Sequence, residues 1–294
     1  GSYEFANNLQ DIDALTDYTN YTINRHYSHL NDKENKYLLF FKEVINKQAE
    51  LIALWQSIGF VHGVLNTDNV LISGETIDYG PCAFLNEYDP NTVFSSIDSQ
   101  GRYRYNNQPY ITSWNLSRLA YSLLPLINDD KQIAVNVLNN ALKEYETIYY
   151  HHYYKLFHKK LGLIKNQDQK LVDDLLLIME SEKLDFTNTF SYLSNERKMS
   201  NSSIFNTWYN KWQKMIQNTK EQSLSLMKSV NPVLIPRNKL VESAINNIID
   251  NQDYTLFDNL LQSYKRPYDY QTRISEELLN DVNDNTPFVT YCGT

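Results

Sequence analysis

Residues 60–80 read FVHGVLNTDNVLISGETIDYG, and this stretch organises the rest of the chain. It combines a His-Gly pair with several Asn and Asp residues around a short apolar run. Glycine is favoured where the backbone must adopt conformations that other residues avoid, so clustered glycines indicate irregular backbone. Five of the eight glycines in the chain fall between residues 59 and 101: Gly59, Gly63, Gly74, Gly80 and Gly101. The stretch therefore predicts a site built from loops.

Within this stretch the sequence predicts a small β-hairpin. Residues 70–72 form one apolar strand, residues 75–77 form its return, and Ser73-Gly74 is a suitable two-residue loop. In that register Asn69 lies opposite Asp78, with Cβ atoms about 4.5–5.5 Å apart. An amide oxygen and a carboxylate at this spacing can share one hard cation, Mg²⁺ or Mn²⁺. The alternative is a hairpin that ends in two turn-forming polar residues, since Asn and Asp favour turns.

The spacing of these polar residues matches a phosphotransfer pattern. Protein kinases carry H-R-D-x-x-x-x-N followed by D-F-G, in which the Asn and the second Asp hold Mg²⁺. Here His62-Gly63, Asn69 and Asp78-Tyr79-Gly80 occupy the matching positions. Val64 stands where a kinase has its catalytic Asp, and an apolar side chain cannot accept a proton. Either the site is a pseudokinase site, or another residue, most simply Asp68, has taken over as the base.

Longer segments make the resemblance specific. The chain is similar to the SelO family of kinase-like protein adenylyltransferases over nearly its whole length. The matching segments are GSYEFA (1–6), GFVHGVLNTDN (59–69), ISGETIDYGP (72–81), FLNEYDP (84–90), QGRY (100–103), NQP (107–109), WNLSRLA (114–120), NPVLIPRN (231–238) and TYCGT (290–294).

The resemblance implies a function and a set of roles. Proteins of this family bind ATP in a flipped orientation and transfer AMP to Ser, Thr or Tyr hydroxyls of other proteins. By this resemblance Asp68 would accept the proton, and Asn69 and Asp78 would be ligands of Mg²⁺ or Mn²⁺. Asp78 would also lie near the nucleotide. The family further implies a redox link between Cys82 and Cys292, whereas the alternative is two unrelated thiols.

One departure from the family concerns the nucleotide-binding lobe. Family members carry a long N-terminal portion that supplies a glycine-rich lobe and phosphate-binding Lys and Arg residues. The sequence contains no G-x-G-x-x-G, no G-x-x-x-x-G-K-[ST] and no V-A-I-K segment. We therefore expect this chain to be the C-terminal lobe, with the N-terminal nucleotide lobe missing and independent activity in question.

Helical periodicity covers most of the remaining chain. In residues 31–58, Asn31 is a suitable N-cap and Gly59 a suitable C-terminal cap, so a long helix would lead into the catalytic loop. Pro125 is expected to end a later helix. The predicted helices are residues 8–27, 31–58, 114–126, 129–160, 171–180, 185–193, 204–217, 240–250 and 255–264.

These elements predict a mainly α fold. We expect a helical, protein-kinase-like C-lobe with a small β-hairpin at the catalytic loop. Residues 1–126 would form the catalytic core, and residues 127–294 a helical extension packed on it. Trp208 and Trp212 stand four residues apart, which is typical of core packing.

Several other polar residues have two interpretations each. Arg102 and Arg104 could contact phosphate or a substrate protein, but we favour structural arginines paired to carboxylates. A metal role is disfavoured for His151, His152 and His158, because adjacent helical residues face different directions and no acidic partner is suitably spaced. We therefore predict structural roles for all three.

Composition narrows the class of protein. The 294 residues are 42% hydrophobic, which is ample for a core. The net charge of −8 argues against a surface that binds nucleic acid. An acidic protein can still bind nucleotide, because Mg²⁺ brings positive charge to the phosphates. No apolar run is long enough for a membrane span, no signal-peptide pattern opens the sequence, and two cysteines do not make a secreted disulfide scaffold. We expect a cytoplasmic protein.

Three functions remain open on the sequence. The first is adenylyl transfer from ATP to protein hydroxyls with Asp68 as base. The second is phosphoryl transfer of the aminoglycoside-kinase type, against which Val64 counts. The third is a non-catalytic pseudokinase scaffold, which would have no need to retain Asp68, Asn69 and Asp78 together.

Overall fold

The structure is a computed structural model that describes residues 1–165, 167–272, 274–281, 288 and 290. It is mainly helical, which confirms the predicted class. The helices are α1 (Ser2–Asn8), α2 (Ile12–His26), α3 (Lys36–Ile58), α4 (Gln108–Ile127), α5 (Lys131–Lys160), α6 (Gln169–Ser181), α7 (Phe186–Leu193), α8 (Ser203–Ile216), α9 (Lys220–Val230), α10 (Asn238–Asn251), α11 (Thr255–Tyr264) and α12 (Glu276–Leu279). The strands are β1 (Phe60–Val61) and β2 (Ala83–Phe84).

Helix α3 lies at the centre of one hydrophobic core. It packs along α5 and α4, and those two helices also pack against each other. Its apolar residues recur at helical spacing, so a continuous stripe is buried. Gly59 ends the helix in the left-handed conformation (φ 72°), which glycine adopts without steric cost. Buried side chains of α3 include Phe40, Phe41, Val44, Ile45, Ala49, Ile52, Ala53 and Trp55.

A second core lies among α6, α7 and α8. Trp208 and Trp212 stack in parallel with ring centroids 6.1 Å apart. Their indole N–H groups donate to the carbonyls of Leu171 and Leu161, at 2.9 and 2.8 Å. The prediction that both tryptophans pack in the core is confirmed, and both indole donors have partners despite their burial.

Helix boundaries differ from the predictions in several places. The helix predicted over residues 8–27 begins later, at Ile12, because Gln10 has a positive φ (55°) and the Asp11 carboxylate caps the helix by accepting from the Ala14 N–H. Helix α1 shares only residue 8 with that prediction. Helix α3 begins at Lys36, not near Asn31, since Ser28–Leu30 forms a separate 3₁₀ turn. Helix α4 continues past Pro125 to Ile127, and α9 had no counterpart among the predicted helices.

The predicted hairpin has the wrong register. Val70 pairs with Thr76, one position short of the predicted partner, so Asn69 does not face Asp78 across a ladder. Residues 71–75 connect the two bridge partners, instead of the predicted two-residue loop. Within this connection the Leu71 carbonyl accepts from the Gly74 N–H, at 3.1 Å. The two-stranded sheet is formed by β1 and β2, antiparallel, with Phe60 opposite Phe84 and Val61 opposite Ala83.

Other expectations about architecture stay predictions. Neither the kinase-like arrangement nor the division into residues 1–126 and 127–294 is tested by these elements. Among the residues that the structure describes, no helix combines the length and apolarity needed to cross a membrane.

Lys160, the last residue of α5, is a buried cation. It is only 3% exposed, and its Nζ lies 4.2 Å from the centroid of the Phe190 ring. The ion pairs found within the described ranges do not include it. Burial lowers the pKa of Lys160 to about 7, because the charged form loses its hydration.

Replacing Lys160 by Met should make stability less dependent on pH. The unfolded chain keeps this amine protonated up to about pH 10.4, whereas the folded chain releases the proton near pH 7. The cost of burying the charged amine therefore lowers the free energy of unfolding in full below pH 7. This cost shrinks as the pH rises above 7. We expect Lys160→Met to be the more stable protein at pH 7, with the difference narrowing by on the order of 2–3 kcal/mol at pH 9.5. Urea unfolding at both pH values measures this.

The matched control is Lys159→Met, because Lys159 is the exposed neighbour on the same helix. It should leave the pH dependence of the wild type unchanged. A constant difference between wild type and Lys160→Met across this range would mean that Lys160 stays charged in the core.

Candidate active site

The loop between β1 and β2 contains all the predicted site residues. Pairing of β1 with β2 brings its two ends together. Gly63 has a φ of 85°, and a Cβ at this position would lie 2.5 Å from the Pro81 carbonyl oxygen. Only glycine allows the two ends of the loop to approach so closely.

Side-chain amides of α3 and α4 hold this loop. The carbonyl groups of irregular backbone need hydrogen-bond donors when water is excluded. Gln48 of α3 donates to the Leu71 carbonyl at 2.7 Å. Gln108 of α4 donates to the Phe60 carbonyl at 2.9 Å, and its Oε1 accepts from the His62 backbone N–H at 3.0 Å. The loop is thus fixed to the two helices at several points along its length.

His62 links the two halves of the loop. The ring is fully buried, and its Nε2 lies 2.8 Å from the Ile77 carbonyl oxygen, to which it donates. Its Nδ1 accepts from the Val64 backbone N–H at 3.4 Å, and the ring stacks on Trp55. Burial lowers the pKa of His62, although the nearby Asp78 charge opposes this shift. The neutral ring therefore positions residue 77, directly before Asp78.

Asn69 is oriented by two hydrogen bonds. It ends a 3₁₀ turn, and its backbone N–H donates to the Asn66 side chain at 3.1 Å. Its Nδ2 donates to the Val64 carbonyl at 3.0 Å. Since Nδ2 is committed to this carbonyl, Oδ1 is turned away from it and can serve as a ligand oxygen.

Asp78 directly follows Ile77, the residue whose carbonyl accepts from the His62 ring. It is exposed and has a positive φ of 57°, a conformation that Asp tolerates better than most residues. Burial is the main cause of a raised pKa at Cys82, and the charge of Asp78 raises it further. Asp78 therefore lies close to both His62 and Cys82, while its own carboxylate stays accessible to solvent.

Asp68 points to a different part of the site. Its side chain is 73% exposed. It lines a cavity of about 450 Å³ between the loop and helices α1, α2, α3 and α4. Asn69 and Asp78 are not among the residues that line this cavity. Of the three predicted site residues, Asp68 is thus the one that lines this cavity.

The predicted metal ligands do not belong to a larger cluster of metal-binding side chains in the described part of the chain. Within the described ranges there is no cluster of three or more His, Cys, Asp or Glu residues suited to a metal ion. Asn69 and Asp78 come from separate turns instead of facing hairpin positions. Their role as ligands and that of Asp68 as base stay predictions. The sequence motif marks His62 without indicating its positioning role, because that role depends on contacts that spacing does not reveal.

The remaining polar residues have structural surroundings. The predicted carboxylate pairing of Arg102 and Arg104 is wrong for the described part of the chain. The Arg102 guanidinium lies 4.9 Å from the centroid of the Trp114 ring, and Arg104 donates to the side chain of Asn106. His158 is buried against Tyr154. The predicted link from Cys82 reaches Cys292, which lies outside the described residues.

Comparison with known proteins identifies relatives over the whole chain. "Protein nucleotidyltransferase YdiU" of Clostridium perfringens (strain 13 / Type A) is 45% identical over 306 residues, which cover 100% of this chain and 62% of the relative. The protein of the same name in Bacillus cereus (strain ATCC 10987 / NRS 248) is 44% identical over 303 residues, with the same coverage. A relative in Bacillus anthracis (strain CDC 684 / NRRL 3495) is 43% identical.

The chain thus spans about 62% of the length of the curated relatives that it matches. These matches do not support the expectation of a missing N-terminal lobe, which stays a prediction. The family model described as "Protein adenylyltransferase SelO" matches residues 1–265. This match and the 45% identity over the whole chain place the protein in the SelO family.

Proposed function

We propose that this chain carries the catalytic loop of a protein adenylyltransferase, which transfers AMP from ATP to Ser, Thr or Tyr hydroxyls of proteins. Membership of the SelO family supports the class of reaction. The observation that carries the proposal is that one loop, between β1 and β2, holds all three side chains. The carboxylates of Asp68 and Asp78 are exposed on it, and Asn69 is half-buried between them in the sequence.

Asp68 is the group proposed to accept the proton. Transfer forms a bond between the acceptor oxygen and the α-phosphorus of ATP, breaks the bond to the bridging oxygen, and releases pyrophosphate. The hydroxyl proton then needs an acceptor, and Val64 offers none. Asp68 is the next acidic residue along the loop, and its exposed carboxylate can be reached by a protein hydroxyl.

Asn69 and Asp78 are proposed to hold Mg²⁺ or Mn²⁺. The donor set fits such an ion, because Mg²⁺ is usually bound by one or two protein oxygens while phosphates and water complete its coordination. Asn69 Oδ1 is set by the bond from Nδ2 to the Val64 carbonyl, and Asp78 keeps its carboxylate in solvent. The ion would supply positive charge to the phosphates of ATP. The two side chains would orient it against the loop.

Label transfer from ATP should identify the reaction. With Mg²⁺ or Mn²⁺ present, we expect label from the α position of ATP to be retained on acceptor protein and label from the γ position to be lost as pyrophosphate. The measurement is parallel labelling with both forms of ATP, with the full-length Clostridium perfringens relative as a positive control. Retained γ label would mean phosphoryl transfer. If the control is labelled and this chain is not, these residues do not suffice for activity.

Asp68→Asn should slow transfer without weakening nucleotide binding. Removing a general base costs about 10²–10⁴-fold in rate. The fold should be unaffected, because the side chain is exposed. Initial rates and ATP affinity should be measured together. The control is Asp17→Asn, an exposed residue of α2 that does not line the cavity. An equal rate for Asp68→Asn and the control would exclude Asp68 as the base.

Asp78→Asn should weaken metal-dependent ATP binding. This change keeps the size of the side chain and removes its charge, so a loss of about tenfold or more in affinity is expected for a direct metal ligand. Titration of ATP with and without Mn²⁺, followed by calorimetry, measures it. The unfolding temperature should change little, because the residue is exposed. Unchanged metal-dependent affinity would show that Asp78 is not a ligand.

A further inference from the structure

One face of helix α4 carries large aromatic side chains that protrude into solvent. Tyr110, Trp114 and Tyr121 are 69%, 41% and 50% exposed. Together with Arg118 they stand at intervals of three and four residues, so they follow one another along the same side of the helix. We call this set the aromatic stripe. At 1.5 Å per residue it is about 16 Å long, the span of about five residues of an extended peptide.

Two arginine side chains lie over rings at this surface. The Arg102 guanidinium lies 4.9 Å from the centroid of the Trp114 ring and 5.7 Å from that of the Tyr103 ring. The Arg118 guanidinium lies 5.4 Å from the centroid of the Tyr121 ring. Stacking on aromatic faces orients a guanidinium and leaves the N–H groups at its edge free to donate hydrogen bonds. Arg102 is thus an oriented cation on an exposed surface.

The two arginines differ in their counter-charge. Arg118 Nε donates to the Glu4 carboxylate at 2.7 Å. The ion pairs within the described ranges do not include Arg102. The carboxylate of Asp98 is close by in the chain, but it accepts from the backbone N–H groups of Arg102 and Tyr103, at 2.8 and 2.7 Å. The guanidinium of Arg102 can therefore accept a carboxylate from another molecule.

The sequence around the stripe is cationic in an acidic protein. Residues 99–128 contain three arginines and no Asp, Glu or Lys, whereas the whole chain has a net charge of −8. Because the rest of the chain repels acidic partners, a local excess of positive charge selects where such a partner can bind. Exposed aromatic and arginine side chains are also those that contribute most to protein–protein contacts. This composition fits a docking surface for an acidic segment.

Hydrogen bonds connect the stripe to the turn that carries Asp68. One carboxylate oxygen of Glu4 accepts from Arg118 Nε, at 2.7 Å. The other accepts from the Thr67 hydroxyl, at 3.1 Å. Thr67 directly precedes Asp68 in the chain. A peptide that lies along the stripe therefore passes close to Asp68.

We propose that the aromatic stripe and Arg102 bind the acceptor protein, and that they select an extended segment with an Asp or Glu a few residues from the hydroxyl that is modified. The inference rests on the proposed function, since it assumes that this hydroxyl is presented to Asp68. It adds what that function leaves open, namely which neighbouring sequence is preferred. The rings of the stripe cover the segment, and Arg102 donates two hydrogen bonds to its carboxylate.

The spacing along α4 sets the position of the acidic residue. Trp114, on which Arg102 stacks, lies about one helical turn before Arg118, a separation of about 6 Å along the axis. An extended segment advances about 3.3 Å per residue. We therefore expect the acidic residue two to four positions from the modified hydroxyl. An acid directly beside the hydroxyl would face the negative charge of Asp68 instead.

The test uses fluorescein-labelled, otherwise uncharged undecapeptides with a central Ser. One set carries Asp three positions before or after the Ser, and the matched set carries Asn there. Fluorescence anisotropy should show about 3- to 10-fold tighter binding of the Asp peptides, as expected for one charge-assisted pair at a surface. Added salt should reduce the difference, because exposed charges are screened. Equal binding of both sets, or binding of neither, would overturn the proposal.

Matched variants show whether binding uses the stripe. Arg102→Gln should remove the preference for Asp, whereas Arg197→Gln should keep it. Arg197 is the control because it is another exposed arginine over a ring, 4.4 Å from the centroid of Tyr192, and lies outside the stripe. Tyr110→Ser should weaken binding of both sets several-fold, because it removes apolar contact without changing charge.

The three substituted side chains are exposed, so each variant is expected to fold, and urea unfolding checks this. A preference for Asp that survives in Arg102→Gln would contradict the proposal. Unchanged affinity in Tyr110→Ser would remove the stripe from the binding surface and would contradict it too.

Light scattering and competition distinguish other occupants of the stripe. A dimer that Tyr110→Ser dissociates would assign the stripe to a second copy of the chain and overturn the proposal. Displacement of the Asp peptide by ATP would assign Arg102 to the phosphates, with the same consequence. A monomer that keeps the Asp peptide in the presence of ATP would support an acceptor surface.

A parallel measurement separates this inference from the proposed function. The same peptides are incubated with α-labelled ATP. Equal label on Asp and Asn peptides would support adenylyl transfer and overturn the docking surface. Preferential binding of Asp peptides without label on either set would support the docking surface and contradict transfer by this chain.

Discussion

The structure depends on hydrogen-bond partners for the backbone carbonyl groups of one irregular loop. Residues 62–82 connect two strands of two residues each, so few of their carbonyl groups find partners in a sheet. Helices α3 and α4 supply the missing donors through the amides of Gln48, Gln108 and Asn115. An amide side chain suits this task because it can donate to one backbone group and accept from another, as Gln108 does.

This arrangement separates rigid support from an accessible surface. The amides and His62 lie buried beneath the loop, while Asp68 and Asp78 extend into solvent above it. Polar groups that face a substrate are held accurately only when the backbone beneath them cannot shift. The neutral His62 ring contributes because it joins the segment that follows β1 to residue 77 without placing a charge in the core.

A buried ion pair extends this support towards the C-terminal half of the described chain. Arg237 is 1% exposed and binds both carboxylate oxygens of Asp185, at 2.7 and 3.2 Å. It also donates to Asn86, two residues beyond β2, at 3.0 Å. Asp185 in turn caps α7 by accepting from the Asn188 N–H. The exit of the loop is therefore tied to α7 and to the segment before α10 by groups that would be costly to separate in the interior.

The sequence by itself determined the helical class, the family and the loop that contains the candidate site residues. Helix α11 spans Thr255–Tyr264, as predicted, because apolar spacing and end signals are local. The tertiary structure alone decided the register of residues 70–77, since the Leu71 and Ile72 carbonyls accept from Gln48 and Tyr27, residues that lie far back along the chain. It also decided the cavity beside Asp68, whose walls come from four helices. Spacing along a chain records local conformation, whereas pairing, burial and unsatisfied polar atoms arise only when distant segments meet.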